Sequence, residues 1–171
     1  MNPGSGIGVR TLHLIVMAIS LFLLAPGNAW AVLNITVTGS WTETIDKDDL
    51  AGGPGSGLTG TYSSAQNVNL ITVSGATSNK GDNWQINIKR INTAWNGSLQ
   101  ISARRTSGGS GPGSVSGGEA FIQVSETDGV FFTGAGNLNG IRVQLQLTGV
   151  SLQVPPNQYS TTIQYTIIDT P

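Results

Sequence analysis

Side chains that can do chemistry are scarce in this chain. Its 171 residues include one histidine, His13, and no cysteine. Imidazole and thiol are the groups most often used for proton transfer, nucleophilic attack and transition-metal binding. His13 lies in a segment that we expect to be removed, and no Gly-x-Ser-x-Gly elbow accompanies a histidine. We therefore expect a protein that is not an enzyme and that has no cofactor and no metal.

Carboxylates are the remaining candidates for chemistry. Residues 46–49 (DKDD) form the densest acidic cluster, which could offer oxygen ligands to Ca²⁺ together with Glu126 and Asp128. The alternating acids around a glycine that define an EF-hand loop are missing, so a solvated loop is the favoured interpretation. The other glutamates, Glu43 and Glu119, lie in no pattern that predicts the paired carboxylates of a glycosidase.

Tryptophans raise the question of carbohydrate binding, which on a sheet needs exposed and roughly coplanar rings. Trp41 and Trp84 are in phase with apolar neighbours, which predicts core positions for both. Trp95 lies in a turn, residues 92–97 (NTAWNG), and is the candidate for contact with a ligand. A single ring supports a carbohydrate-binding function only as an alternative.

Charge gives little reason to expect a charged partner. The formal net charge is −1, which offers no electrostatic case for nucleic acid or an anionic membrane. Arg104 and Arg105 precede a glycine-rich loop and could bind an acidic partner. The favoured interpretation puts one arginine in solvent and lays the other over the sheet with its charged end in water.

The N-terminal segment has the features of a secretory signal peptide. Arg10 precedes an apolar run at residues 12–25 (LHLIVMAISLFLLA), and Ala29-Trp30-Ala31 fits the cleavage rule. The run falls short of the roughly 20 residues that span a bilayer. We expect residues 1–31 to be a cleaved signal peptide and residues 32–171 to be one domain, secreted or held at the cell surface. After cleavage we expect no membrane span, and no disulfide can form.

The rest of the chain alternates between apolar and polar residues, which is typical of half-buried strands. Clear examples are residues 33–41 (LNITVTGSW), 84–89 (WQINIK), 99–104 (LQISAR), 141–148 (IRVQLQLT) and 159–167 (YSTTIQYTI). Turn residues separate them, and no segment has the period of a helix. The pattern predicts an all-β fold, a single antiparallel β-sandwich of immunoglobulin-like or pilin-like type. It leaves the strand order open, and we expect both terminal strands to be paired centrally.

Both terminal strands carry a family resemblance. Residues 155–167 (PPNQYSTTIQYTI) resemble the last strand of bacterial fimbrial and spore-coat-U-like secreted β-sandwich proteins. Residues 33–41 resemble the donor strand of chaperone–usher pilins, in which apolar residues alternate and a glycine fills a shallow pocket. The end of the chain, residues 168–171 (IDTP), also resembles the close of WxL cell-wall-binding domains. The resemblance implies exchange of a strand whose candidate residues are Leu33, Ile35, Val37, Gly39 and Trp41.

Together these features indicate a bacterial secreted or cell-surface protein with a structural, interaction or adhesion role. A fimbrial or coat subunit that assembles with itself, as a homo-oligomer or fibre, through β-strand pairing is the leading interpretation. The alternative is a cell-wall- or carbohydrate-binding β-sandwich module with a glycan ligand.

We predict that the mature protein begins at Val32. Pro26 and Gly27 break the apolar helix just before the small residues Ala29 and Ala31, which is where signal peptidase cuts. Mass spectrometry of the exported protein should show the loss of residues 1–31. Full-length protein in the membrane fraction would contradict the prediction.

Overall fold

A computed structural model describes residues 32–53, 55–76 and 82–170 of the chain. The expected signal peptide, residues 1–31, lies outside the described residues. Within them, helix is limited to a 3₁₀ turn, Lys47–Asp49, and no helix is long and apolar enough to cross a membrane. The strands are β1 Asn34–Thr38, β2 Thr61–Ser63, β3 Asn69–Ser74, β4 Asn83–Ala94, β5 Gln100–Arg105, β6 Ser114–Ser116, β7 Ile122–Gln123, β8 Gly129–Ala135, β9 Leu138–Thr148 and β10 Ser160–Thr170.

These strands form two antiparallel sheets that pack face to face, which confirms the predicted all-β sandwich. One sheet has the order β1-β3-β9-β5-β7, with the short β2 also paired to β9. The other has the order β10-β4-β8-β6. The long strand β9 organises the first sheet, because β3 pairs with its first half and β5 with its second. In the second sheet, β4 has the same role between β10 and β8.

The expectation that both terminal strands are central is wrong. β1 lies at an edge of the first sheet and β10 at an edge of the second. The physical reason is that alternation reports which face of a strand is buried, but not how many neighbours pair with its backbone. An edge strand that covers one face of a core alternates just as a central strand does.

No two strands that are consecutive among the described elements pair with each other. Every connection from β3 onward is instead an arch, a segment that carries the chain from one sheet to the other. The turn residues Asn96-Gly97, between β4 and β5, belong to such an arch, as do Gly136-Asn137 between β8 and β9. Turn chemistry predicts that the chain reverses at these places. Which sheet the next strand joins depends on the packing of the sandwich.

The core lies between the inner faces of the two sheets and is centred on Trp84. This tryptophan is fully buried, as its phase with apolar neighbours predicted. Its indole nitrogen donates a hydrogen bond of 2.9 Å to the carbonyl of Gly136, so the buried polar group is satisfied. Trp84 packs against Phe132 in an edge-to-face arrangement, with ring centroids 6.2 Å apart. Three isoleucines of the core are also fully buried: Ile71 on β3, Ile86 on β4 and Ile141 on β9.

Gly134 on β8 provides the space that the Trp84 ring occupies. A Cβ atom at Gly134 would overlap two carbons of the ring and would also crowd the carbonyl of Ser114 on β6. Neither obstacle is the free end of a flexible side chain. Any larger residue at this position must therefore displace either the ring or the neighbouring strand.

We predict that Gly134→Ala lowers the free energy of unfolding by about 1–3 kcal/mol, the usual cost of overpacking a core. Denaturant unfolding followed by tryptophan fluorescence measures the change. The matched control is Gly129→Ala on the same strand, where a Cβ would meet no atom within 4 Å. Equal stability losses in the two variants would show that the Trp84 contact is not the cause.

Candidate functional site

The first strand is where the sequence predicts strand exchange. β1 pairs along its whole length with β3 and with no other strand of its sheet. Ile35 lies opposite Val73 and Val37 lies opposite Ile71, so both β1 side chains face the core. Burial is incomplete, however: Ile35 is half-buried, and Val37 keeps 36% of its surface exposed. β1 therefore covers only the edge of the core.

The other candidates for exchange flank the strand. Leu33 precedes β1 and Trp41 follows it, and both are half-buried against the edge of the core. The indole nitrogen of Trp41 donates a 3.2 Å hydrogen bond to Glu43. Of the five proposed exchange residues, only Ile35 and Val37 belong to the strand itself.

Close approaches of backbone to backbone mark both ends of β1. Gly39 follows the strand with φ 111°, and a Cβ there would overlap the carbonyl of Val68. Gly75 follows β3 and has φ 90°. A Cβ there would overlap the carbonyl of Val32, which lies just before β1. The resemblance implies that Gly39 fills a shallow pocket. The geometry gives a different reason for this glycine, because only a residue without a Cβ fits beside the neighbouring backbone.

Tyr165 on β10 connects the sheets close to β1. β10 lies next to β1 across the open side of the sandwich. The Tyr165 hydroxyl donates a 3.2 Å hydrogen bond to the amide oxygen of Asn69 on β3, and its ring lies 6.4 Å from that of Phe131. Burial raises the pKa of this hydroxyl well above its ordinary value of 10.0. The contact holds the last strand against the strand that pairs with β1.

Trp95, the candidate for sugar contact, is held in place by contacts within the protein. Its ring is half-buried in the arch between β4 and β5, and its nitrogen donates a 2.9 Å hydrogen bond to the carbonyl of Leu99. The Arg90 guanidinium lies 5.7 Å from the ring centroid and is paired with Glu126 at 3.3 Å. One face of the ring is therefore covered, which leaves a poor platform for a sugar.

The acidic cluster at residues 46–49 organises its own turn. The Asp46 carboxylate accepts a 2.8 Å hydrogen bond from the backbone of Asp48, and the Asp49 carboxylate accepts one of 2.9 Å from the backbone of Asp46. These bonds form a capping box at the 3₁₀ turn. Glu126 and Asp128 are bound elsewhere, to Asn92 and Asn87 on β4. In the described ranges, no three histidine, cysteine, aspartate or glutamate residues group as metal ligands would.

The two adjacent arginines point to opposite faces of β5, and one of them differs from the prediction. Arg105 points inward and is buried: its guanidinium donates to the carbonyl of Gly117 at 2.8 Å and to Glu119 at 2.7 Å. Arg104 points outward and lies over the ring of Phe121, 4.7 Å from its centroid. The prediction put one arginine in solvent and laid the other over the sheet; it is wrong for Arg105, which is buried because the glycine-rich loop folds back and supplies its partners. The partnership of Arg105 with Glu119 has no signal in the sequence.

Comparison with protein families, with curated proteins and with solved structures finds no match for this chain. The likeness of the terminal strands to fimbrial proteins therefore depends on the strand residues already described.

We predict that stability at high pH depends on Tyr165. Because burial raises its pKa in the folded protein, the hydroxyl ionises first in the unfolded chain, at about pH 10. Its contribution is therefore complete below that pH and is lost as the pH rises toward the folded value. Urea unfolding at pH 8 and pH 11 should show a smaller loss for Tyr165→Phe than for the wild-type protein. Identical losses would contradict the prediction, since the other tyrosines are common to both proteins.

Proposed function

We propose that this protein is a non-enzymatic structural subunit of the bacterial cell surface, of the fimbrial or coat type, that assembles by exchanging β1 between copies. The observation that supports the proposal best is the position of β1. It is a five-residue edge strand, paired with β3 alone, whose inward side chains remain partly exposed. A strand of this kind can leave its own sheet at a small cost in buried area.

Exchange replaces contacts within one chain by the same contacts between two chains. In a second copy, Ile35 would again lie opposite Val73 and Val37 opposite Ile71. The free-energy difference between the closed and exchanged forms is therefore small and arises mainly at the hinge that follows β1. High local concentration at a cell surface then favours the exchanged form. Repeated exchange in one direction produces a fibre, whereas reciprocal exchange produces a closed dimer.

Other features of the chain are consistent with this role. The expected signal peptide would deliver the protein outside the cytoplasm, where a subunit without cysteine must obtain its stability from strands, core packing and neighbouring copies. The alternative function is a carbohydrate-binding module, and it has weaker support at the residue that the sequence suggests for sugar contact. Its candidate ring, Trp95, is half-buried and partly covered by Arg90.

We predict that Ile35→Asp abolishes self-assembly, whereas Thr36→Asp leaves it intact. The two residues are neighbours on β1, but Ile35 faces the core and Thr36 is exposed. An aspartate at position 35 would place an unpaired charge at the core margin of whichever copy receives the strand. Light scattering after size-exclusion chromatography, over a range of concentrations, measures the mass of the assemblies. The wild-type protein should form oligomers whose mass grows with concentration.

A synthetic peptide with the sequence of residues 33–41 provides a second test. If β1 is exchanged, the peptide competes for the position beside β3 and shortens the assemblies. A peptide with aspartate in place of the isoleucine is the control and should have no effect. A wild-type protein that stays monomeric at every concentration would refute the proposal. So would oligomers that are insensitive to Ile35→Asp.

A further inference from the structure

Two arginines on the outer face of the first sheet have no acidic partner. In the described part of the chain, the ion pairs join Lys47 to Asp48, Arg90 to Glu126 and Arg105 to Glu119. The described cations outside these pairs are Lys89, Arg104 and Arg142. Lys89 belongs to the second sheet, whereas Arg104 lies on β5 and Arg142 on the adjacent β9.

Strand register puts these two arginines on the same face. Arg104 lies opposite Gln144, and Arg142 precedes Gln144 by two residues, so all three side chains point outward. Diagonal neighbours of this kind have Cα atoms about 7–8 Å apart, within the common reach of two long side chains. The Arg142 side chain is exposed, and Arg104 is half-buried. The face thus carries two neighbouring positive charges without a compensating acid.

Arg104 is held in one orientation by its surroundings. Its Nε donates a 2.9 Å hydrogen bond to the side-chain oxygen of Gln144, whose nitrogen in turn donates a 2.8 Å bond to the carbonyl of Ser64. The flat side of the guanidinium lies over Phe121. These contacts leave the edge formed by its two terminal nitrogens available. That edge matches the two oxygens of a carboxylate.

A groove of about 470 Å³ runs beside Arg104. Gln66, Thr106, Ser107 and Glu119 contribute polar groups to its lining. Glu119 is compensated by its 2.7 Å contact with Arg105, so it does not cancel the charge of Arg104. The groove is therefore polar and is positively charged at the Arg104 side.

The rest of this face supplies mainly hydroxyl and amide groups, together with two apolar side chains: Leu70, which lies opposite Arg142, and Phe121, which lies under Arg104. The outward positions of β5, and those of β9 from Arg142 onward, are Gln100, Ser102, Arg104, Arg142, Gln144, Gln146 and Thr148. Amides and hydroxyls both donate to and accept from the hydroxyl groups of a sugar.

We infer that this outer face, and not the region of Trp95, binds a polysaccharide that carries carboxylate groups. Arg104 and Arg142 bind the carboxylates, and the outward side chains other than the buried Gln144 contact the sugar hydroxyls, namely Gln100, Ser102, Gln146 and Thr148. The site is separate from β1, so binding and strand exchange are independent properties of the same domain. Charge complementarity between the two uncompensated arginines and the carboxylates supplies the attraction, which weakens as salt is added.

Calorimetric titration of the full exported protein with polygalacturonate tests the inference. Arg104→Gln and Arg142→Gln should each weaken binding about tenfold, because each removes one charge-assisted interaction. Arg142 is exposed and makes no side-chain hydrogen bond, so its replacement should leave the thermal unfolding midpoint unchanged. The matched control is Lys89→Gln, which removes the uncompensated cation of the other sheet and should not alter affinity.

Two comparison compounds identify the chemistry of the ligand. Fully methyl-esterified polygalacturonate has the same sugar rings without the charge, so it should not bind detectably. Poly-glutamate has carboxylates without sugar hydroxyls and should bind at least about tenfold more weakly. Equal affinity for poly-glutamate would overturn the assignment to a polysaccharide. Equal affinity for the ester, an equal loss in Lys89→Gln, or no binding by the wild-type protein would overturn the site.

Discussion

Contact between the inner faces of the two sheets is the interaction on which the rest of this structure depends. Because consecutive strands do not pair, the fold gains almost nothing from local hairpins. Each strand must find its neighbours across a long stretch of chain, and the loop entropy lost in doing so is recovered only when the faces pack. The fully buried Trp84 lies at the centre of that packing. Its fit depends on the missing side chain of Gly134, so the tolerance for change there is small.

The two terminal strands are edge strands of different character, one in each sheet. β10 is an eleven-residue strand held by an extensive register with β4 and by the hydrogen bond from Tyr165 to Asn69. β1 is a five-residue strand with one neighbour and incompletely buried apolar side chains. This difference is why exchange is proposed for β1. The glycines at its two ends allow close contact with the neighbouring backbone without adding side-chain burial.

The two adjacent arginines at the end of β5 differ in burial. The buried Arg105 side chain binds the exposed Glu119 and the carbonyl of Gly117, so it holds the glycine-rich loop against β5. Its sequence neighbour Arg104 points to the opposite side of the strand, where the sheet is covered by polar side chains. The pleat of one strand thus separates a buried arginine from one on the outer face of the sheet. Loss of Arg105 would leave Glu119 and the loop carbonyls without their donor, whereas loss of Arg104 would change mainly the surface charge.

Local sequence was sufficient to predict the class of fold and many of the core residues, although Trp41, for which it predicted a core position, is only half-buried. Trp84, Ile86 and Ile88 share an inner face because side chains two residues apart point to the same side of a strand. The same rule placed Ile35 and Val37 toward the core. The neighbours of each strand could not be predicted, because alternation contains no information about pairing between distant segments. The edge positions of β1 and β10, the burial of Arg105 and the cover over Trp95 all depend on segments brought together from elsewhere in the chain. These features were decided by the tertiary structure alone, because a contact contributes to stability only when both of its partners are in place.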